Sequence, residues 1–357
     1  MSMIEDITSF RREGSGKVRF LFVVLPVSIL FLFFMGLSSG SVHIGFDDLA
    51  AVFTGADGAD PVYRDIIFGL RLPRMVAAML TGAALGVGGL LMQTLFMNPL
   101  AGPFVLGINA GASLGVAIVI LFAGASGFGA FGGGLSILSE MGMVMSATAG
   151  AAVVICLVLV VAGRIANKTV LLLVGIMFSY AVSALVSVLI HFSMADRIQS
   201  FLSWTYGSFS TVSGRELAVM VPIITISLCL VFPLGKQLNA LLLGETYASS
   251  MGVPVKRVRY SVIFLTSLLA ATVTAFCGPV AFLGIAVPHV GRNIAGTGDH
   301  RILIPLCILI GALAALASDM VAHLPGGGVV LPLNAVTSLI GAPVVIWIIS
   351  RYQHVGR

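Results

Sequence analysis

Long apolar runs that follow one another with short gaps are the feature of this 357-residue chain that most restricts its fold. A helix needs about 20 apolar residues to cross the hydrocarbon core of a membrane, and about ten runs reach or come near that length. They cover approximately residues 20–37, 72–95, 103–124, 143–163, 170–192, 217–234, 260–277, 280–295, 302–323 and 331–350. The eighth run is the shortest, and Pro288 interrupts it. The pattern predicts an all-α integral membrane protein with about ten transmembrane helices.

The composition indicates one membrane domain. Only 9% of the residues are charged and 58% are hydrophobic, whereas soluble domains carry about 25% charged residues. A chain with so few charges cannot cover a surface that faces water. The gaps between the runs leave no room for a second domain. We therefore expect an N-terminal segment at 1–19, a single transmembrane domain at 20–350 and a short C-terminal tail at 351–357.

The distribution of basic residues predicts the orientation in the membrane. If the N-terminus lies in the cytoplasm, five of the 19 Lys and Arg residues fall on the outer side and the other fourteen at cytoplasmic ends. The five outer residues are Arg64, Arg71, Arg74, Arg197 and Arg215. This asymmetry obeys the positive-inside rule. Because the expected number of spans is even, both termini are predicted to be cytoplasmic.

No catalytic or metal-binding pattern is visible in the sequence. The four cysteines lie singly in apolar runs, as small core residues do. The segment GSGKV at 14–18 is not a nucleotide-binding loop, because Arg11 and Val18 replace its required first glycine and its final Ser or Thr. The net charge of +5 comes from cations scattered over short loops, which does not favour nucleic-acid binding. We predict no catalytic residue, no metal site and no cofactor bound by this chain.

One polar segment, LLLGETYASSMGVPVKRVR at 241–259, lies between two apolar runs on the predicted cytoplasmic side. Leu243, Tyr247 and Met251 recur at every fourth position, which places them in one stripe of a short helix. A Gly-x-Pro break follows Met251 and favours a helix stop and a new start. We expect two short helices at an angle. The alternatives for their role are an interfacial helix on lipid headgroups and a docking helix for a soluble partner.

Several polar and charged residues lie at or near membrane depth. Gln93 and Asn109 are either pathway residues or partners in hydrogen bonds between helices. Arg71 and Arg74 lie three residues apart on one helical face at the outer mouth of a run. Their side chains either reach lipid headgroups or pair with an acidic partner outside. Asp319 is the one acid placed inside a run, and we expect it to be capped or paired rather than part of a proton relay.

Motifs that occur in a fixed order cover residues from about 45 to 350. They are RLPR (71–74), MQTLFMNPLAGP (92–103), GASLG (111–115), LLLVGI (171–176), WTYGSFS (204–210), LLLGETYASSMGVPV (241–255), GPVAFLGIAVPHVGR (278–292), DHR (299–301) and IGAPVVIW (340–347). Taken together, these segments resemble the FecCD family of ABC-transporter permeases, the importers of iron–siderophores, haem and cobalamin. The order and extent of the match make the resemblance more specific than any single motif.

The resemblance implies a homodimer in the bacterial inner membrane, with about ten helices per subunit as in cobalamin permeases. Two separate ATPase subunits would bind ATP and Mg²⁺ on the cytoplasmic side, so this chain is not expected to be an enzyme. A periplasmic or lipid-anchored binding protein would deliver the substrate from outside. The polar segment, at about 240–258, resembles the coupling helices that sit on the ATPase. The coupling residues implied are Leu243, Gly244, Glu245, Tyr247, Met251, Gly252 and Pro254.

The resemblance also implies roles at both membrane surfaces. Arg71 and Arg74 are similar to outer arginines that pair with glutamates of the binding protein, and His323 stands where the family often has a third arginine. Charge-assisted pairing of this kind fixes orientation and speeds encounter. The candidates for the pathway and its cytoplasmic gate are Lys168, Thr169, Gln93 and Asn109. A lysine is not typical of the family at that gate position.

The function that we predict from the sequence is ATP-driven import of a bulky metal chelate, with iron–siderophore as the first expectation and haem or cobalamin as alternatives. An ion-coupled secondary transporter would need acids or an ion site within the membrane and no docking segment. An enzyme within the membrane would need a buried nucleophile and base or a metal motif. The sequence shows neither set of features.

Overall fold

Helices form all of the regular structure in the part of the chain that the computed structural model describes, residues 2–55, 60–122, 136–165, 167–324 and 330–355. In chain order they are α1 (Ser2–Ser38), α2 (Phe46–Thr54), α3 (Pro61–Ile66), α4 (Leu72–Phe96), α5 (Ile108–Ala117), α6 (Ser136–Arg164), α7 (Lys168–His191), α8 (Ala195–Thr205), α9 (Gly214–Val231), α10 (Gly235–Leu241), α11 (Glu245–Ser250), α12 (Val255–Cys277), α13 (Leu283–Ala295), α14 (His300–Ala322) and α15 (Leu333–Val355). Two π-helical turns, Ile67–Arg71 and Ile118–Phe122, adjoin α4 and α5, and a 3-10 turn, Phe232–Leu234, joins α9 to α10.

Ten of these helices coincide with the ten apolar runs of the sequence. They are α1, α4, α5, α6, α7, α9, α12, α13, α14 and α15. Within the described ranges, seven helices are long and apolar enough to cross a membrane, and the apolar parts of α5 and α15 are shorter. The remaining helices are short connections. The predicted all-α membrane fold is confirmed.

Two helices begin later than their apolar runs predicted, for reasons that lie in the backbone. The third run begins near 103, but α5 begins at Ile108, because Gly107 adopts a φ of 81° and closes the preceding turn. The eighth run begins near 280, but α13 follows Phe282, a non-glycine residue with a φ of 64°. At about 1.5 Å per residue, the 13 residues of α13 extend about 20 Å. This is less than the roughly 30 Å of a hydrocarbon core.

The centre of the bundle is α4, which is buried without interruption from Thr81 to Phe96 and packs against α12, α13 and α14. Small residues make this contact possible. A Cβ atom added at Gly82 would collide with the carbonyl oxygen of Gly311 in α14, and one added at Gly89 would collide with that of Gly284 in α13. The spacing of Gly82 and Gly86, one helical turn apart, therefore lets α4 and α14 approach closely.

The outer helices α1, α6, α7 and α9 present apolar side chains on the surface of the chain. At most 28% of the apolar window of each is buried within the chain, and for α7 the share is 17%. Phe31, Val153, Met177 and Tyr180 are examples of large exposed side chains on these helices. Apolar surface of this extent must be covered by lipid or by a second protein. The chain is a multi-span membrane protein.

Candidate functional site

The polar segment 241–259 forms a helical elbow at one end of the bundle. Its helix α11 lies between two glycines with positive φ, Gly244 (101°) and Gly252 (80°). The second short helix that the sequence predicted is instead the first turn of α12, which starts immediately after Pro254. Proline favours this start because its fixed φ suits a helix beginning. We call this end of the bundle the inner end and the opposite one the outer end, after the predicted orientation.

The apolar stripe of the elbow points away from the protein. Leu243 is 64% exposed, Tyr247 56% and Met251 50%. On the opposite side of α11, Ala248 is fully buried against the bundle. We name the three exposed side chains the α11 apolar face. Only Tyr247 belongs to α11, because Leu243 precedes the break at Gly244 and Met251 follows the last helical residue, so the predicted stripe on a single helix is not formed. The three side chains nevertheless present a small apolar surface to lipid or to a partner.

Glu245, the first residue of α11, pairs with two cations from other helices. Nη2 of Arg259 in α12 donates to both carboxylate oxygens at 2.9 Å. Nζ of Lys168 in α7 lies 3.2 Å from Oε1. Burial raises the pKa of this carboxyl, but the hydrogen bonds from Arg259 and the charge of Lys168 outweigh burial and hold the pKa below its usual value. Glu245 thus joins three helices of its own chain at the inner end.

The two gate candidates lie at the start of α7. Asn167 caps this helix, and its side-chain oxygen accepts hydrogen bonds from the backbone N–H groups of Thr169 (2.9 Å) and Val170 (3.4 Å). The side chain of Lys168 is 20% exposed and turns toward Glu245, whereas Thr169 is exposed. The structure therefore brings a predicted gate residue and a predicted coupling residue into direct contact.

A buried polar network at the inner end was not predicted from the sequence. Nδ1 of His300 donates to Oδ1 of Asn239 (2.8 Å), and its Nε2 lies 2.7 Å from Oγ1 of Thr94. The amide nitrogen of Asn239 donates to Asp299 (2.7 Å). Burial raises the pKa of Asp299, but the hydrogen bonds from Asn239 and from a backbone N–H outweigh it and leave the pKa lowered. The network ties α10 to α4 and α14, and its signal in the sequence was the motif DHR.

Gln93 and Asn109 both form hydrogen bonds between helices. The side-chain amide of Gln93 donates to the carbonyl oxygen of Ile285 (3.2 Å) and accepts from the guanidinium of Arg292. Oγ1 of Thr274 in α12 donates to Oδ1 of Asn109 in α5 (3.1 Å). These bonds agree with the interpretation that the two side chains satisfy interhelical hydrogen bonding. Their role in a pathway stays a prediction.

At the outer end, Arg71 is buried, with 5% of the residue exposed. Nη1 donates to the carbonyl oxygens of Leu37 (2.6 Å) and Ser38 (2.9 Å), and Nη2 donates to that of Val42. These carbonyls lie at and just beyond the C-terminus of α1, where backbone acceptors lack helical partners. In this conformation Arg71 therefore caps α1, which the sequence analysis did not foresee.

Arg74, three residues on, contacts a different helix. Its Nε lies 3.2 Å from Oδ2 of Asp319 in α14, and the two side chains are 11% and 2% exposed. Nδ1 of His323 lies 2.8 Å from the carbonyl oxygen of Asp319 and 3.6 Å from its Oδ1. We name Arg74, Asp319 and His323 the outer charge cluster. The prediction that Asp319 is paired is confirmed, and two of the three predicted docking residues share this cluster.

The motif WTYGSFS borders a cavity of about 460 Å³ at the outer end. Its lining includes the indole of Trp204, the hydroxyl groups of Ser208, Ser210 and Ser213, and Glu216. Glu216 is a second buried acid, and its burial has a local cause: its carboxylate accepts from the backbone N–H (2.8 Å) and the hydroxyl (3.0 Å) of Ser213, which caps α9.

The profile of the FecCD transport family matches residues 28–351. The chain belongs to this family. The match confirms the resemblance drawn from the sequence motifs and covers nine of the ten predicted spans from end to end, together with the last part of α1, from residue 28 onward.

Curated relatives and solved structures agree with the family. The chain is 34% identical to the vitamin B12 import system permease protein BtuC of Klebsiella pneumoniae, over 81% of this chain and 84% of that protein. It is 32% identical to BtuC of Shigella boydii over 97% and 99% of the two chains. A chain assigned to a metal-chelate type ABC transporter, in an inward-facing conformation, superposes with a TM-score of 0.80 at 28% identity, covering 93% of this chain and 99% of that one.

Proposed function

We propose that this chain is the permease subunit of an ATP-driven importer of a bulky metal chelate, which a substrate-binding protein delivers to its outer end. The observation that carries the proposal is the α11 apolar face, held on a charge-paired elbow at the inner end of a FecCD-family fold. A permease that does not itself hydrolyse ATP needs a surface through which an ATPase can drive its conformational change. Substrate movement would follow from a shift between outward-facing and inward-facing states.

The ATPase is the proposed occupant of the α11 apolar face. Helix-in-groove recognition uses apolar anchors at helical spacing on a short amphipathic helix. Leu243, Tyr247 and Met251 supply such anchors. The three cations that follow, Lys256, Arg257 and Arg259, are not equivalent: the first two are exposed, while Arg259 is directed to Glu245. The elbow thus has a side for a partner and a side for its own bundle.

The binding protein is the proposed partner of the outer end. Arg74 and His323 of the outer charge cluster already share Asp319, so acidic groups on a partner would compete with this carboxylate. The guanidinium of Arg71 already donates to backbone carbonyl oxygens at the end of α1. It could contact an acidic group of the partner only by giving up these hydrogen bonds. We propose docking at Arg71, Arg74 and His323 in this form.

A homodimer is the proposed assembly. The helix α7 is the least buried of the long apolar helices, and it carries exposed side chains such as Met177, Tyr180 and Leu185. A second copy would cover such a face, and the pathway would run between the two α7 helices toward Lys168 and Thr169. In the described residues, both buried acids have partners that account for them, Asp319 with Arg74 and Glu216 with Ser213. An ion-coupled transporter is therefore not favoured.

The substrate is proposed as a metal chelate of the cobalamin or iron–siderophore size class. Cobalamin is the first candidate to test, because the curated relatives at 32–34% identity are named for vitamin B12 import. Iron–siderophore, the expectation from the sequence, and haem complete the test panel. All three present an organic shell, which suits a pathway of apolar and small polar side chains.

The test is co-purification of the full tagged chain with a co-expressed ABC ATPase from the same genome. We expect a stable complex, and we expect Tyr247→Asp to reduce the recovered ATPase by about tenfold, since burial of an unpaired charge in an apolar contact is costly. The matched control is Val62→Asp, which places the same charge on an exposed apolar side chain of α3 at the outer end. If the ATPase never associates, or if Tyr247→Asp and Val62→Asp behave alike, the proposal is wrong.

A further inference from the structure

The contact between Lys168 and Glu245 joins α7 to α11, two helices that lie far apart in the sequence. Nζ of Lys168 and Oε1 of Glu245 are 3.2 Å apart, and the same carboxylate receives Arg259 from α12. The side chains of Lys168, Arg259 and Glu245 are 20%, 11% and 30% exposed. Pairs that are partly withdrawn from water interact more strongly than fully exposed ones. We name these three residues the inner charge joint.

The stability of α7 does not explain a lysine at its first position. A cation at a helix N-terminus opposes the helix dipole, so Lys168 is unfavourable for α7 by itself. The helix start is already satisfied by Asn167, which accepts hydrogen bonds from two backbone N–H groups. Glu245 supplies the negative charge that compensates the lysine. The reason for Lys168 therefore lies in its partner rather than in its own helix.

The arginine side of the joint is committed to Glu245. Nη2 of Arg259 contacts both carboxylate oxygens, while its Nε is buried and has no hydrogen-bond partner among the described residues. A buried guanidinium group that lost the carboxylate would be left poorly solvated. Arg259 therefore opposes displacement of Glu245 away from α12. Any displacement of Glu245 that does occur would also act on its second partner, Lys168 of α7.

The backbone on both sides of α11 permits it to move as a unit. Gly244 and Gly252 hold φ values of 101° and 80°, a region that glycine adopts without steric cost. No atom lies within 4 Å of a Cβ placed at either glycine, so the two positions are open as well as flexible. A short helix between two such points can tilt when a partner presses on its apolar face.

We infer that the inner charge joint transmits the tilt of α11 to the inner end of α7, with Lys168 as a positioning residue that sets how tightly the gate follows the ATPase. The inference rests on the proposed function and deepens it. It assigns Glu245 to a contact within this chain, while the α11 apolar face contacts the partner. It also gives the atypical lysine a role beside Thr169, at the point where the pathway would close.

The experiment uses the complete transporter in proteoliposomes and measures substrate molecules taken up per ATP hydrolysed. Cobalamin, with its binding protein, is the probe. We expect Lys168→Met and Glu245→Gln each to lower this ratio by about fivefold, within the range of mutations that alter coupling between sites. The double variant should lose no more than Glu245→Gln alone, because that change already removes the charge pair with Lys168. Lys236→Met, the same change at an exposed cation of α10, should leave the ratio and the ATPase rate unchanged.

Three results would overturn the inference while the proposed function stands: an unchanged uptake ratio in Lys168→Met, losses that add up in the double variant, or an equal loss in Lys236→Met. The thermal unfolding temperature of each variant is measured in parallel, since a purely structural role of Lys168 would lower that temperature and not the ratio. If the wild-type chain does not associate with an ATPase, the proposed function fails first, and this outcome is recognised before any variant is compared. If the wild-type complex forms but cobalamin is not taken up, the same variants are compared with an iron–siderophore or haem.

Discussion

Replacing Asp319 with alanine should destabilise the fold, because the carboxylate is the counter-ion of a buried arginine. Its side chain is 2% exposed and that of Arg74 is 11% exposed, with Nε and Oδ2 3.2 Å apart. Removal of one partner from a buried pair costs about 3–5 kcal/mol. Arg74 retains slight contact with the outer surface, so we expect the lower part of that range, about 3 kcal/mol. His323 keeps its bond to the carbonyl oxygen of residue 319, so the loss reports on the carboxylate.

The assay is unfolding of the purified chain by SDS, followed by far-ultraviolet circular dichroism. The double variant Arg74→Met/Asp319→Leu is the control, and it should lie within about 1 kcal/mol of the wild type, because apolar residues of similar volume often replace a buried pair without loss. A stable Asp319→Ala variant would refute the reasoning. So would a double variant that is as unstable as the single one, since the cost would then come from packing and not from an unpaired charge.

Further predictions concern the packing and the inner end. Gly82→Ala should cost about 1–3 kcal/mol by overpacking against Gly311, whereas Gly142→Ala, with open space around it, should be neutral or stabilising in the same SDS titration. His300→Phe should cost about 1–3 kcal/mol, because its polar partners lose hydrogen bonds; an unchanged midpoint would contradict the network. The pKa of Glu245 in the folded chain lies below its unfolded value of about 4.3. Its ion pairs therefore stabilise the fold at neutral pH, and this stabilisation is lost as the pH falls through the folded pKa. The stability difference between wild type and Glu245→Gln should therefore stay constant from about pH 6 to 8 and shrink below about pH 4; a constant difference at all pH values would contradict this assignment.

The sequence predicted those features that depend on local periodicity. The ten helices and the close approach at Gly82 follow from residue spacing along one segment. Leu243, Tyr247 and Met251 are exposed, but the break at Gly244 keeps them from one helix. Pairing of Asp319 followed from the cost of an isolated charge in the membrane. These inferences needed no knowledge of which helices are neighbours.

The features that the sequence did not predict depend on contacts between distant segments or on single backbone angles. The pairing of Lys168 with Glu245 and the capping of α1 by Arg71 each join parts of the chain whose proximity only the packed bundle determines. The late starts of α5 and α13 come from positive φ angles at Gly107 and Phe282, and the phenylalanine gives no sign of this in the sequence.

ATP hydrolysis by a partner subunit is the proposed energy source of transport. The measurement that tests it is uptake of cobalamin, iron–siderophore or haem into proteoliposomes that contain this chain, its ATPase and its binding protein. Uptake is compared between two conditions: ATP supplied to the ATPase, and an imposed ion gradient without ATP. We predict uptake with ATP that disappears when the ATPase or the binding protein is omitted, and no uptake with the gradient alone. Uptake driven by the gradient, without ATP, would contradict the account and would direct attention to Asp319 as a coupling site.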